Sequence, residues 1–542
     1  MPSTTSACSS DCVRYKPKSG LASLDVTARL ASTQAVSASE ASDIRREIGV
    51  ALNDLRGFDV QISRLRMHIL ALKNERVAFE ECITDSKSLL SPIRKLPVEL
   101  LTEIFSYCCA ENKVIVRPVE DSENETKIQV PATTLLQVCR SWNTTVASTK
   151  ALWASICLTV LSNPKNEEDS DRVQRSISRL LQASGEVPLK VTIDTKALDG
   201  NLHRSVLSLM SEATRWKEVS IAWRHPDVDQ FWLPLKDNLP ILERLSLNSF
   251  NSEASSGEEF AHAPRLRSIS FQALNLGSTV ALPFSQISFI ELRAVYFKDA
   301  LRTFCQAASL SHLVLYDPPN EPDETLADMT VHALPAASFQ MIWKNHTSRP
   351  VVEHLSRLSF PGLQVFHLDD RNISEPAEDK LLVGTNLLSF LSSSCKTLHT
   401  LTLEHVTMRE HDLIALFTML PQLTTLHLLN TEEKKGITSH LIQRLHGYGN
   451  GGAQRVLLPK LADLEIDLAS GGTFSSLLDM VRLRWLHDPE TTKCSFASLR
   501  KVSLRIRDVR FDEALRVDLL ALTKGGLSMS VRDSEGFVED LY

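Results

Sequence analysis

What this 542-residue chain lacks excludes several classes of function. No stretch approaches about 18 uninterrupted apolar residues, the length a membrane-spanning helix needs, so no membrane partner is expected. The opening MPSTTSACSSDC has no charged start followed by an apolar run, which predicts no secretory leader. Basic residues are not in excess: 59 Lys and Arg stand against 66 Asp and Glu, a net charge of −7. Phosphate backbones need a concentrated positive field, so nucleic acid is not an expected partner.

Metal and catalytic signatures are missing as well. The ten cysteines lie mostly in apolar runs, as small buried hydrophobes of a reducing compartment do, and Cys108 and Cys109 are adjacent and cannot form paired ligand arms. This predicts no metal site and a cytoplasmic or nuclear protein. His399, His405 and His411 fall six apart, which suits neither a helix nor a strand ligand pair. The glycine cluster GYGNGG at 447–452 lacks the lysine and strand–helix setting of a phosphate cradle and reads as a loop. No Ser/His/Asp elbow or carboxylate pair stands out. We therefore expect no catalytic residues, no cofactor and no enzyme.

Composition is globular, with 43% hydrophobic and 23% charged residues, and the length calls for several domains or a repeat array. Residues 1–42 are rich in Ser, Thr and Ala without an apolar period, which predicts a disordered tail. A heptad follows over 43–90. Ile48, Leu55, Ile62 and Ile69 lie seven apart, and Ala51, Phe58, Leu65 and Leu72 fall three after each. Arg76, Phe79 and Ile83 continue the seam, with Arg76 as a polar break and Gly57 as a weak point. Such a seam forms a coiled coil, offering self-association through residues 48–83, or a single amphipathic helix lying on its own domain.

Residues 91–158 have a different texture. Pro92 and Pro97 bracket the start of LPVELLTEIFSYCC, in which Leu100, Ile104 and Cys108 repeat at four and Leu101 and Phe105 repeat one step over. The apolar arc is wider than the usual stripe. A polar gap over 111–131 reads as a loop. A second helix is expected across ATTLLQVCRSWNTTVAS, with Leu135, Val138, Cys139 and Trp142 on one face, then a third short piece carrying Leu152 and Trp153.

Over 159–542 the frame L-x-x-L-x-L recurs nine times, with Ile, Val and Phe allowed. Examples are Leu242-Leu245-Leu247, Leu266-Ile269-Phe271 and Leu423-Leu426-Leu428, and Trp216-Val219-Ile221 is a tenth. Starts at 242, 266, 287 and 310 are 24, 21 and 23 residues apart. This lies inside the span of about 20–29 residues that marks leucine-rich repeats, whose units bury their apolar faces only by stacking. The closing asparagine of such repeats is mostly absent, since Leu274 and Thr431 hold that place. The expected fold class is α/β: an N-terminal helical segment, a three-helix module and an irregular solenoid.

The module resembles an F-box. The residues that carry the resemblance are Leu96, Pro97, Glu99, Leu100, Leu101, Ile104 and Phe105, then Leu135, Val138, Cys139, Arg140 and Trp142, then Leu152 and Trp153. The order of parts also resembles fungal F-box proteins with degenerate repeats. The resemblance implies that these residues, Arg140 apart, form an adaptor-binding surface for a Skp-type adaptor on a cullin scaffold. It also implies that the repeats hold a target protein of unknown identity for a ubiquitin ligase. The alternative is a repeat scaffold that assembles through its coiled coil without ligase activity. The gap at 111–131 is longer than the family's short connection.

Overall fold

In the computed structural model the described residues are 15–20, 34–119, 122–161, 167–195, 202–223, 235–249, 260–272, 282–319, 332–343, 358–371, 383–406, 408–429, 437–446, 456–468, 474–485, 496–506, 521–532 and 538–541, plus 26, 30–31, 355 and 519. Positions 274 and 431 and the GYGNGG cluster lie outside them, as do residues 1–14 of the expected tail. The chain divides into two compact units, 1–101 and 102–542, taken in turn below.

The first unit is built on α1, Ala38–Leu89. It starts five residues earlier than the heptad alone suggests, because Ser37 and Glu40 form a capping box that closes the first turn. The seam residues project from it uncovered: Phe58 is 38% and Phe79 72% exposed. Val60, Met67, Leu70 and Val77, off the seam, are exposed too. Arg76 is held along the helix by Glu80 one turn on, at 2.8 Å.

The expectation of a structureless tail fails at residues 15–20, which dock on α1. Tyr15 donates its hydroxyl to Asp54 at 2.9 Å and its backbone N–H to Gln61 at 2.7 Å. The backbone N–H groups of Lys18 and Ser19 converge on the other Asp54 oxygen at 2.9 and 2.7 Å. Composition could not show this, because one buried carboxylate, not an apolar period, organises the segment.

Among the described residues the second unit holds a sheet of 17 strands, beside a small parallel pair formed by His332–Ala333 and Leu358–Ser359. In chain order these are β1 Asn112–Val119, β2 Ser122–Gln129, β3 Ser155–Val160, β4 Leu189–Thr195, β5 Trp216–Trp223, β6 Arg244–Ser249, β7 Ser268–Gln272, β8 Phe289–Arg293 and β9 His312–Tyr316. They continue with β10 Ser338–Trp343, β11 Val365–Asp370, β12 Thr400–Glu404, β13 Thr425–Leu429, β14 Asp463–Leu468, β15 Lys501–Ile506, β16 Ser528–Arg532 and β17 Val538–Leu541. From β1 through β3 and on to β16 every pairing is parallel, and antiparallel β2 and β17 close the two edges. Helices such as Phe297–Gln306, Glu410–Met419 and Phe474–Trp485 return the chain between strands.

Register explains the sheet. Val191, Val219, Leu245, Ile269, Ile290 and Leu313 stand in one ladder, continued by Phe339, Phe366, Leu401, Leu426, Leu464 and Val502. All of them are buried. Because side chains alternate across a strand, this register puts every frame residue on the core face and every intervening residue on the other. All nine frames and the Trp216 frame are strand-borne or strand-leading in this way. Three units escaped the pattern, since β4, β10 and β16 lead their frames with Pro188, the small Ala336 and Gly526.

Three expectations for 91–158 are corrected. The gap at 111–131 is not a loop: β1 and β2 form a hairpin, and β1 pairs with β3. The apolar run Val114-Ile115-Val116 is short enough to pass as loop, but both valines are fully buried. The second helix is two, α3 Pro131–Leu136 and α4 Arg140–Ser148, parted where Cys139 turns extended at φ −163°. Asn143 donates its side-chain amide to the Leu136 carbonyl at 2.9 Å and so closes α3. The third piece is a single 3-10 turn, Lys150–Trp153, that runs into β3, so a boundary at 158 cuts a strand. The module is therefore mixed rather than three-helical.

Candidate functional site

The helix α2, Val98–Cys108, starts where the Pro97 carbonyl accepts the Leu101 N–H at 3.1 Å. Proline has no N–H to leave unpaired there. The wide apolar arc resolves into two faces. Leu101, Phe105 and Cys109, at spacing four, are all buried. Leu100 and Ile104, one position back and so about 100° round the helix, are 49% and 41% exposed. Val98 and Tyr107 add further open apolar surface.

The inward face has clear partners. Phe105 meets Trp142 edge to face with ring centroids 4.8 Å apart. Trp153 donates its indole N–H to the Val146 carbonyl at 3.2 Å, and Leu152 is buried beside it in the 3-10 turn. Asn112, wholly buried at the head of β1, donates to the carbonyls of Leu152 and Ser155 at 3.1 and 2.9 Å. That pair of bonds ties the hairpin to the module, and nothing in the sequence of the gap announces it. Burial pushes the Cys109 thiol above its ordinary value, which leaves it a small apolar side chain rather than a nucleophile.

The thirteen residues expected to bind a partner thus fall into groups. Leu101, Phe105, Leu152 and Trp153 are buried within the chain. Trp142, Leu96, Leu135 and Cys139 are half-buried. Leu100, Ile104 and Val138 are open apolar side chains, and Pro97 and Glu99 are exposed with them. The open set presents the most surface to another molecule.

A second surface is the outward face of the sheet. Along β4–β7 it is floored by Thr192, Ser220, Ser246 and Ser270, which line a shallow depression of about 590 Å³ bounded by Lys190 and Phe289. Along β11–β13 it becomes ionic. Asp369, almost fully buried, accepts from Arg371 at 2.8 Å and pairs with His405 Nδ1 at 2.9 Å. Arg371 also reaches Glu404 at 3.6 Å. Asp369, Glu404 and His405 are close enough to share an ion, yet the Arg371 guanidinium already supplies the positive charge there. The three evenly spaced histidines do not converge: His399 bonds the Gln422 carbonyl, His405 bonds Asp369, and His411 lies beside Asp412. Sequence spacing missed the cluster because its members come from different strands.

Residues 93–159 match the family model described as F-box-like. An F-box-like domain is therefore present there, and this module is a protein-interaction adaptor rather than a catalytic unit. No curated protein matches the chain.

Proposed function

We propose that this chain is the substrate-recognition subunit of a Skp–cullin–F-box ubiquitin ligase, with 93–159 docking on the Skp-type adaptor. The observation that carries the reading is the split of α2: Leu101 and Phe105 are spent on the module's own core, while Leu100 and Ile104 remain open. An exposed pair of large aliphatic side chains on a rigid helix suits the helical groove of a partner. The stacked strands support the remainder of the reading. Their frame and buried ladder support a reading as irregular leucine-rich repeats, and their outward face offers a long polar surface for a target protein. Ubiquitin transfer would belong to the assembly, with this chain raising the effective concentration of the target's lysines.

The test is capture of purified Skp-type adaptor by the full chain and by a Leu100→Asp, Ile104→Asp variant. Capture by the parent, loss in the variant and an unchanged circular dichroism spectrum are expected. Equal capture by both would remove the assignment of this face.

A further inference from the structure

We infer that α1 is an interface between two copies of this chain, paired antiparallel about a point near Met67. The inference concerns residues 15–89 alone and is independent of the adaptor reading.

The seam that invites a partner runs along α1 from Ile48 to Ile83, its large apolar side chains 38–72% exposed. Its charges discriminate between the possible pairings. In a parallel, in-register pair each seam residue faces its own copy, so Arg76 would meet Arg76 inside the apolar core. Flanking residues five apart would also oppose each other, setting Glu75 against Glu80. Like charges at these positions are unfavourable, and no opposite pair compensates.

Turning one copy round changes each contact. With the two-fold near Met67, Leu55 faces Phe79, Ile62 faces Leu72, Leu65 faces Ile69 and the small Ala51 faces Ile83. Asp59 comes opposite Lys73 on both sides of the axis. The remaining like pair is Arg66 with its own copy, at the solvent-facing rim where long side chains can diverge.

Arg76 falls in the layer of Phe58, and here the docked segment 15–20 matters. Tyr15 packs edge to face on Phe58 with centroids 4.9 Å apart. Gly57 provides the room, because a Cβ there would come within 2.3 Å of the Tyr15 ring. The layer that takes the incoming guanidinium is thus a pair of aromatic rings, and a cation over aromatic faces is favourable. The polar break in the heptad and the glycine that weakens it then serve the same layer from opposite copies.

Two variants of the full chain, each adding one cysteine to a Cys82→Ser, Cys108→Ser, Cys305→Ser background that removes the exposed thiols among the described residues, test the orientation with a short bis-maleimide linker. Arg66→Cys lies beside the axis and is expected to yield linked dimer above the background level. Arg76→Cys is expected to yield none, since its own copy would be 18 positions away along the axis, about 27 Å. Sedimentation should show a dimer for the parent and a monomer for Leu65→Asp. The reverse linking pattern, or linking by both variants, would overturn the antiparallel arrangement. A monomeric parent that neither variant links would overturn the interface itself.

Discussion

Tyr15 and Asp54 lie 39 residues apart and are joined by a hydrogen bond of 2.9 Å over a glycine, Gly57, that no other residue type could replace without moving the ring. Burial works to raise the Asp54 carboxyl, but hydrogen bonds from Ser19, Tyr15 and Lys18 outweigh it and hold the group below its ordinary range. A depressed carboxyl contributes to docking above its unfolded value, near about pH 3.9, and the contribution is lost as pH falls through the folded value. Gly57→Ala and Asp54→Asn should both release residues 15–20 at neutral pH. Hydrogen exchange at the Lys18 and Ser19 amides reads this directly, and continued protection in both variants would refute the docking.

On α2 the two faces should respond oppositely. Phe105→Ala removes a fully buried ring from contact with Trp142 and should cost about 3–5 kcal/mol. Leu100→Ala and Ile104→Ala, on the open face, should leave chemical denaturation within about 0.5 kcal/mol of the parent. A large loss for the open pair would place them in the chain's own core.

In the repeats, Leu426 is fully buried, while its neighbour His427 lies on the opposite face with its ring 3.3 Å from the Thr402 hydroxyl. Leu→Ala at such a site costs about 2–5 kcal/mol, and a buried carboxylate costs more. Leu426→Asp should therefore melt units well beyond its own, because neighbours stabilise one another through the sheet. His427→Ala or Thr425→Ala should change melting little and, if the outward face holds the target, reduce target capture. Similar melting losses at 426 and 427 would show that the alternation has been misassigned.

The outward histidines make stability depend on pH. Burial pushes His367 and His427 below the ordinary histidine value, with Asp369 and Glu404 opposing it for His367 and Glu465 for His427. Unfolded histidine titrates near about 6.5, so below that the unfolded chain binds more protons than the folded one. Their contribution is intact above about pH 6.5 and is lost as pH falls through the folded values. The urea midpoint should drop between about pH 7.5 and about pH 5.5, and drop less in His427→Gln. An identical pH slope for the two proteins would rule this residue out as a source.

The hairpin β1–β2 offers a last test. Replacing 112–129 by a short linker would strip Val114 and Val116 from the core and leave β3 with an open edge. Unpaired edges recruit other chains, so light scattering should report association of the shortened protein at concentrations where the parent stays dispersed. A dispersed, normally melting deletion would mean that the hairpin is dispensable to the sheet.

Period alone determined much of this protein. Alternating leucines with a leading residue three before, repeated nine times, admit one solution: parallel strands stacked with their apolar faces inward, which is where Leu245, Ile290, Leu401 and Leu464 lie. The heptad likewise determined α1, because a helix is a local structure whose face is set by spacing. The wide arc of α2 was legible too, but which half faces inward was not. Leu101 and Leu100 are the same residue type one step apart, and only the position of Trp142 against Phe105 separates them. Tertiary structure also decided the hairpin, the docked Tyr15 and the Asp369 cluster. Each depends on groups brought together from distant positions, such as Asn112 with the Ser155 carbonyl or His405 with Asp369. Such pairings leave no period in the chain, because one buried polar group satisfied by one partner has no reason to repeat.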